Sequence, residues 1–126
     1  FLPDTKGVEI HDSVKPQSDD FVVQKHYPNS FRDTPLLNEL KKAGVDRVVI
    51  CGAMSHMCID ATTRAAADLG FGCTVIHDGC ATRNLEFGEK KVLADDVHAS
   101  FMAALGAAYA KVITCEEFIS NIKNDE

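Results

Sequence analysis

Three short apolar segments that start at equal intervals limit the folds open to this chain. They begin at Phe21, Arg47 and Cys73, and a fourth begins at Lys111. Val and Ile dominate them without strict polar alternation, which is typical of strands buried on both faces. The pattern predicts strands over residues 21–24, 47–51, 73–77 and 111–114.

Helical patterns lie between these strands. We predict helices from the Thr34–Pro35 cap to Gly44, and over residues 58–69, 95–110 and 116–122. Each has apolar side chains on one face. In the longer interval before the last strand, Gly88 predicts a small hairpin. Strands that alternate with helices predict the α/β class, with a parallel sheet between two layers of helices in an α/β/α arrangement.

The charge and cysteine content argue against several classes of partner and cofactor. Lys plus Arg number 13 against 19 Asp plus Glu, a net charge of −6 that argues against nucleic acid or a basic membrane face. The beginning of the chain lacks an apolar signal segment, so we expect a cytoplasmic location. Five cysteines without a C-x-x-C pair indicate reduced thiols. No zinc-ligand or phosphate-loop spacing occurs, so we expect no metal and no cofactor.

Three loops follow the first three predicted strands. They read KHYPNSF, GAMSHMC and DGCATRN. In open parallel sheets, ligands bind beyond the carboxyl ends of the strands. The sequence therefore predicts a site for a small molecule, formed by these three loops.

Cys58 and Lys25 are the candidate reactive side chains of these loops. Cys58 opens a predicted helix, where free backbone N–H groups and the helix dipole favour a thiolate and can hold an oxyanion. It can equally be small helix filler. Lys25 ends the first predicted strand and can stabilise a thiolate, or be a solvated strand-end lysine. Cys80 is the rival thiol, and Arg83 is a candidate partner for a substrate carboxylate.

Three stretches are similar to a known family. VVICGAMSHMCIDATTRAAADLGF resembles the cysteine-loop signature of the isochorismatase-like cysteine hydrolases. DFVVQKHYPNSFRDTPLLNELKKAGVDRVVI resembles the lysine segment of that superfamily, and GCTVIHDGCATRN resembles its next strand and loop. The resemblance implies a Rossmann-like three-layer fold with a six-stranded sheet. It also predicts that residues 1–126 are a single domain of this type.

The resemblance implies an Asp–Lys–Cys set of catalysts. Carried over, the nucleophile is Cys58 and the lysine is Lys25. A non-proline cis peptide falls at Ala53–Met54, and the N–H groups of Met54 and Cys58 form an oxyanion hole. We also expect Tyr27, Phe31 and His56 as pocket walls. The family's first strand, with its Asp, has no counterpart here, so the resemblance implies a chain that is incomplete at its N-terminus.

The function implied is hydrolysis of a small molecule at an amide, ureide or isochorismate-type C–N or C–O bond. One alternative is a catalytically inactive family member that acts as an oligomer subunit or interaction protein. Another is a thiol redox sensor that uses Cys58 and Cys80. Oligomers are usual in the family, so we expect a homo-oligomer.

Overall fold

The parallel sheet at the centre of the molecule has three strands. A computed structural model describes residues 4–124. Its strands β1 (Arg47–Ala53), β2 (Gly72–Ala81) and, near the end of the chain, β5 (Lys111–Ile113) lie in the order β1-β2-β5. All pairs are parallel. The apolar segments that begin at residues 47, 73 and 111 are therefore strands, as the sequence predicts.

β2 is longer than predicted because it continues beside β1 after an irregularity. The register shifts between Ile50 and Gly52, so that Gly52 lies opposite Cys80. Such a bulge bends a strand and re-aims the residues that follow it. The strands thus extend into two of the predicted loops, because residues 52–53 and 78–81 belong to β1 and β2.

The helices and the hairpin follow the sequence pattern closely. The helices are α1 (Leu36–Lys42), α2 (Asp60–Asp68), α3 (Ala94–Ala108) and α4 (Cys115–Asn124). Strands β3 (Leu85–Phe87) and β4 (Lys90–Val92) form the antiparallel hairpin, and Gly88 takes a φ of 60° at its turn. Short 3₁₀ turns lie at Lys6–Val8 and Asp12–Val14. None of the helices in residues 4–124 combines the length and hydrophobicity needed to cross a bilayer.

Helices pack on both faces of β2, while alternate residues of β1 are exposed. Alternate residues of a strand point to opposite faces. On one face of β2, the Cys73 thiol donates to the Thr63 carbonyl of α2 at 3.8 Å, and Val75 joins a core cluster. On the other face, the Asp78 carboxylate accepts the first N–H of α4, from Cys115, at 2.8 Å. The buried members of the cluster are Ile59, Val75, Met102 and Leu105. The result is the three-layer α/β/α arrangement.

The predicted strand over residues 21–24 is wrong. This segment pairs with no strand of residues 4–124, and Phe21 and Val22 are 61% and 59% exposed. A strand is defined by its hydrogen-bonded neighbour, which a local apolar pattern cannot supply. The segment leads instead directly into the loop that carries Lys25. That residues 1–126 form a single domain stays a prediction.

Candidate active site

The turn between β1 and α2 is irregular at the residues that precede Cys58. The Ala53–Met54 peptide bond is cis, and Gly52 before it takes a φ of 126°, a conformation that favours glycine. Residues Ser55–Ile59 form one turn of π-helix. The Met54 carbonyl accepts N–H groups from Met57 at 3.0 Å and Ile59 at 3.3 Å. This wide turn holds Cys58 just before α2 begins.

The Lys25 side chain reaches the Cys58 sulfur from a different loop. Lys25 Nζ lies 3.3 Å from Cys58 Sγ, and it donates to the carbonyls of Tyr27 at 2.8 Å and Pro28 at 3.3 Å. An ammonium group has three N–H donors and no acceptor. All three have a partner here, which fixes the cation against the sulfur.

The Lys25 loop is joined to α2 by a threonine that sequence reasoning missed. Thr62 Oγ1 contacts the Pro28 carbonyl at 3.2 Å, the Ser30 N–H at 3.1 Å and the Ser30 hydroxyl at 3.0 Å. A signal was present, because Thr62 follows Cys58 by four residues, one helical turn. Its importance depends on a distant loop, which local patterns do not specify.

Side chains of α3 and of the residue after β2 also contact the turn that carries Cys58. Ser55 is fully buried, and its Oγ lies 2.8 Å from Nδ1 of His98 in α3. His56 Nδ1 lies 2.6 Å from Thr82 Oγ1, and the His56 ring meets Phe101 edge-on at 6.2 Å. The turn is thus fixed by side chains from the elements around it.

The predicted pocket residues lie in different surroundings. The Arg32 guanidinium stacks 3.7 Å from the centroid of the Tyr27 ring, within the Lys25 loop. Phe31 stacks on Phe71 with ring centroids 6.1 Å apart. Phe31 also borders an apolar cavity of about 170 Å³ that α1, β1 and α2 line. Its visible contacts are those of a packing residue, and a role for Tyr27, Phe31 and His56 towards substrate stays a prediction.

The rival thiol, Cys80, is less suited to react. Burial raises the pKa of Cys80, and a hydrogen bond with the Gly52 backbone lowers it to a smaller extent. Its thiol also donates to the Ile76 carbonyl at 3.3 Å. A raised pKa leaves less thiolate at neutral pH. All five cysteines are free.

The described residues supply neither a metal cluster nor a carboxylate beside the thiol. No three His, Cys, Asp or Glu side chains of residues 4–124 are grouped to hold a metal ion. No carboxylate in this same range is hydrogen-bonded to Lys25 or Cys58. What the geometry offers is a fixed cation–sulfur pair at the carboxyl end of a parallel sheet, a place where ligands bind in such folds.

Several known proteins are similar to this chain in sequence and fold. The uncharacterised isochorismatase family protein YddQ of Bacillus subtilis is 51% identical over 94% of the chain and 66% of its own length. The crystal structure of a proposed isochorismatase hydrolase from Oleispira antarctica matches with a TM-score of 0.92, at 54% identity over 95% of the chain and 64% of that protein. A cysteine hydrolase from Pseudomonas syringae matches with a TM-score of 0.90, at 27% identity over 94% and 56%.

The chain thus spans two thirds or less of the length of these proteins. Its similarity is nevertheless continuous, since the family model described as the isochorismatase domain matches residues 1–122. The matched range includes β1, the cis peptide, Cys58 and Lys25. The chain belongs to the isochorismatase family.

Proposed function

We propose that the protein hydrolyses a C–N bond in a small amide or ureide, with Cys58 as the nucleophile. The observation that carries this proposal is the 3.3 Å contact between Lys25 Nζ and Cys58 Sγ. The thiolate is the nucleophilic form of cysteine, and a fixed neighbouring cation favours it. Membership of a family that contains proteins described as hydrolases supports the reaction class.

The proposed reaction has two halves. The Cys58 thiolate attacks the substrate carbonyl carbon, a C–S bond forms, and the carbonyl electrons move to oxygen. The backbone N–H groups of Met54 and Cys58 hold this oxyanion. The C–N bond then breaks, and the leaving amine takes from solvent a proton that replaces the one that the Cys58 thiol released to solvent when the thiolate formed. Water attacks the thioester, the C–S bond breaks, and a carboxylic acid and the thiol are released.

Lys25 acts as a fixed charge in this scheme. All three of its N–H donors have partners, which suits electrostatic stabilisation of the thiolate better than proton transfer. The resemblance assigns removal of the thiol proton to an aspartate. No carboxylate among residues 4–124 takes that position, so this chain's own contribution is the nucleophile, the cation and the oxyanion donors.

An amide or ureide suits this pair better than an isochorismate-type C–O bond. An acyl carbon accepts a thiolate and forms a thioester, whereas a vinyl ether offers no such acyl carbon. A cation held beside a cysteine would then have no covalent step to assist. The paired Lys25 and Cys58 therefore favour acyl transfer.

Ammonia release from a panel of small primary amides and ureides tests the proposal. Cys58→Ala should reduce the best activity by about 10³-fold or more, while folding is kept. Cys115→Ala removes an exposed thiol at the start of α4 and is the matched control. Hydroxylamine should trap the thioester as a hydroxamate on a wild-type substrate. Full activity of Cys58→Ala, or turnover of vinyl ethers alone, would overturn the proposal.

A second candidate, association as a catalytically inactive subunit, is favoured by one observation. Apolar side chains are exposed beside and before the edge of β1 that has no partner strand within residues 4–124, with Val49 50% exposed in addition to Phe21 and Val22. We propose on this basis that the protein forms a homo-oligomer, which light scattering would measure. Activity and association are compatible, and only loss of the Cys58-dependent reaction favours the inactive subunit.

A cytoplasmic location stays a prediction. The five free thiols suit the reducing conditions of that compartment.

A further inference from the structure

We propose that Thr62 is a positioning residue that holds Lys25 against Cys58. The inference rests on the proposed function, because it assigns Thr62 to the Lys25–Cys58 pair. Among the described residues, the Thr62 hydroxyl makes no hydrogen bond to either side chain of that pair. It acts through the loop between Lys25 and Ser30, which it joins to the helix that follows Cys58.

A closed series of contacts links the four groups. Cys58 Sγ contacts Lys25 Nζ at 3.3 Å, and Lys25 Nζ donates to the Pro28 carbonyl at 3.3 Å. The same carbonyl accepts the Thr62 hydroxyl at 3.2 Å. Four residues of helical backbone then return from Thr62 to Cys58. The Pro28 oxygen has two lone pairs, and each serves one member of the series.

The Thr62 hydroxyl uses its full hydrogen-bonding capacity in this arrangement. Its single proton goes to the Pro28 carbonyl, so its two lone pairs accept from Ser30. One accepts the Ser30 N–H at 3.1 Å, and the other faces the Ser30 hydroxyl at 3.0 Å, which must therefore donate. Valine has the same shape and can make none of these three bonds.

The loop depends on such side-chain contacts because it has no sheet ladder. The preceding residues 21–24 pair with no strand of the described range, and Phe21 is 61% exposed. Lysine has a long flexible stem, so its ammonium group stays in place only where its acceptors do. Two of those acceptors are the carbonyls of Tyr27 and Pro28. Release of Pro28 from Thr62 would therefore move the cation away from the sulfur.

The chain supplies a matched control at the next residue. Thr63 is fully buried, and its hydroxyl has no hydrogen-bond partner among the described residues. Thr62→Val and Thr63→Val exchange the same atoms on the same helix. Only the first removes contacts with the Lys25 loop.

The test measures the rate at which iodoacetamide alkylates Cys58, as a function of pH, by peptide mass spectrometry. The wild type and four variants are compared: Thr62→Val, Thr62→Ser, Thr63→Val and Lys25→Met. Thr62→Val should slow alkylation at pH 7 by about 3- to 10-fold and move the rate profile to higher pH, as Lys25→Met does. Thr62→Ser keeps the hydroxyl and should restore the wild-type profile. Thr63→Val should leave it unchanged.

The outcomes separate this inference from the proposed function. If Lys25→Met shifts the profile and Thr62→Val does not, Thr62 does not position Lys25, and the cation–thiolate pair remains. If Lys25→Met itself has the wild-type profile, the proposed function loses its supporting pair. Should Thr62→Val fail to fold by circular dichroism, Ser30→Ala replaces it, since it removes one Thr62 contact. A smaller shift in the same direction is then expected, and no shift overturns the inference.

Discussion

The buried hydroxyl of Ser55 lies 2.8 Å from Nδ1 of His98, so the turn before Cys58 is tied to α3. Ser55 Oγ also lies 3.4 Å from the Ala81 carbonyl at the end of β2. Both contacts can be hydrogen bonds at once, because the hydroxyl can donate its proton to the Ala81 carbonyl while its oxygen accepts an N–H from Nδ1 of His98. Ser55 therefore joins three parts of the fold at the base of the candidate site.

Ser55→Ala should lower the free energy of unfolding by about 1–3 kcal/mol, because it leaves Nδ1 of His98 without this partner in a partly buried place. Urea denaturation followed by circular dichroism measures the change. Ser100→Ala is the control, since the Ser100 hydroxyl is exposed and donates to the Asp96 carbonyl of its own helix. That change should stay within about 0.5 kcal/mol. Equal losses in the two variants would contradict a special role for Ser55.

α4 begins with a reciprocal capping arrangement that makes its stability depend on pH. The Thr114 N–H donates to Glu117 Oε2 at 2.8 Å, and the Glu117 N–H donates to Thr114 Oγ1 at 3.1 Å. Hydrogen bonds from the Thr114 backbone and hydroxyl lower the pKa of Glu117 from its ordinary value of 4.5. The stabilisation is thus present above that ordinary value and is lost as pH falls through the lowered one.

Glu117→Gln should flatten this acid dependence, because glutamine keeps a capping oxygen that does not titrate. Thermal unfolding from about pH 5 to about pH 2 measures it, with the slope in the variant smaller than in the wild type. Glu116→Gln tests the neighbouring carboxylate, which makes no hydrogen bond within residues 4–124. If both variants flatten the curve equally, general acidic charge near α4 is the cause, and the cap is not.

Thr63→Val should preserve or raise the stability of the fold. The Thr63 hydroxyl is buried without a partner in the described part of the chain, which costs free energy relative to a methyl group of the same size. The measurement is the denaturation midpoint in urea. Thr62→Val, which breaks three hydrogen bonds, should move the midpoint in the opposite direction. A loss of stability in Thr63→Val would mean that its hydroxyl has an unseen partner.

The strands of the central sheet could be predicted because their segments are short, apolar and rich in Val and Ile. Burial on both faces explains this composition for β2, where Val75 and Ile76 are buried on opposite faces, whereas β1 leaves alternate residues such as Val49 exposed. Residues 21–24 carry the same pattern without a strand partner in residues 4–124. A local sequence pattern predicts the propensity of a segment to form a strand. Whether the strand forms depends on a neighbouring strand with which it can pair.

Some residues of the candidate site could be predicted from the sequence, and others could not. Cys58 is a candidate because its position at a strand-to-helix turn has a known chemical meaning. Lys25 is a candidate because it ends a predicted strand, although residues 21–24 pair with no strand of residues 4–124. The supporting hydroxyls of Thr62 and Ser55 were missed. Both are ordinary helix or turn residues in the sequence, and their contacts come from residues far away along the chain. Side chains that support a site through long-range hydrogen bonds leave no local pattern.

Burial should set Cys80 and Cys73 apart from the other thiols when the pH is varied. Burial raises the pKa of both thiols, so at neutral pH each carries less thiolate than an exposed cysteine. Their alkylation rates should therefore level off at higher pH than that of the exposed Cys115. The position of the rate curve on the pH axis is compared, because buried thiols also react slowly through poor access. In urea, where burial is lost, the three curves should coincide.

A scarce thiolate also makes Cys80 a poor partner for Cys58, so peroxide should produce no Cys58–Cys80 disulfide in a non-reducing peptide map. That disulfide, if found, would support the redox-sensor alternative and contradict the low reactivity expected of Cys80.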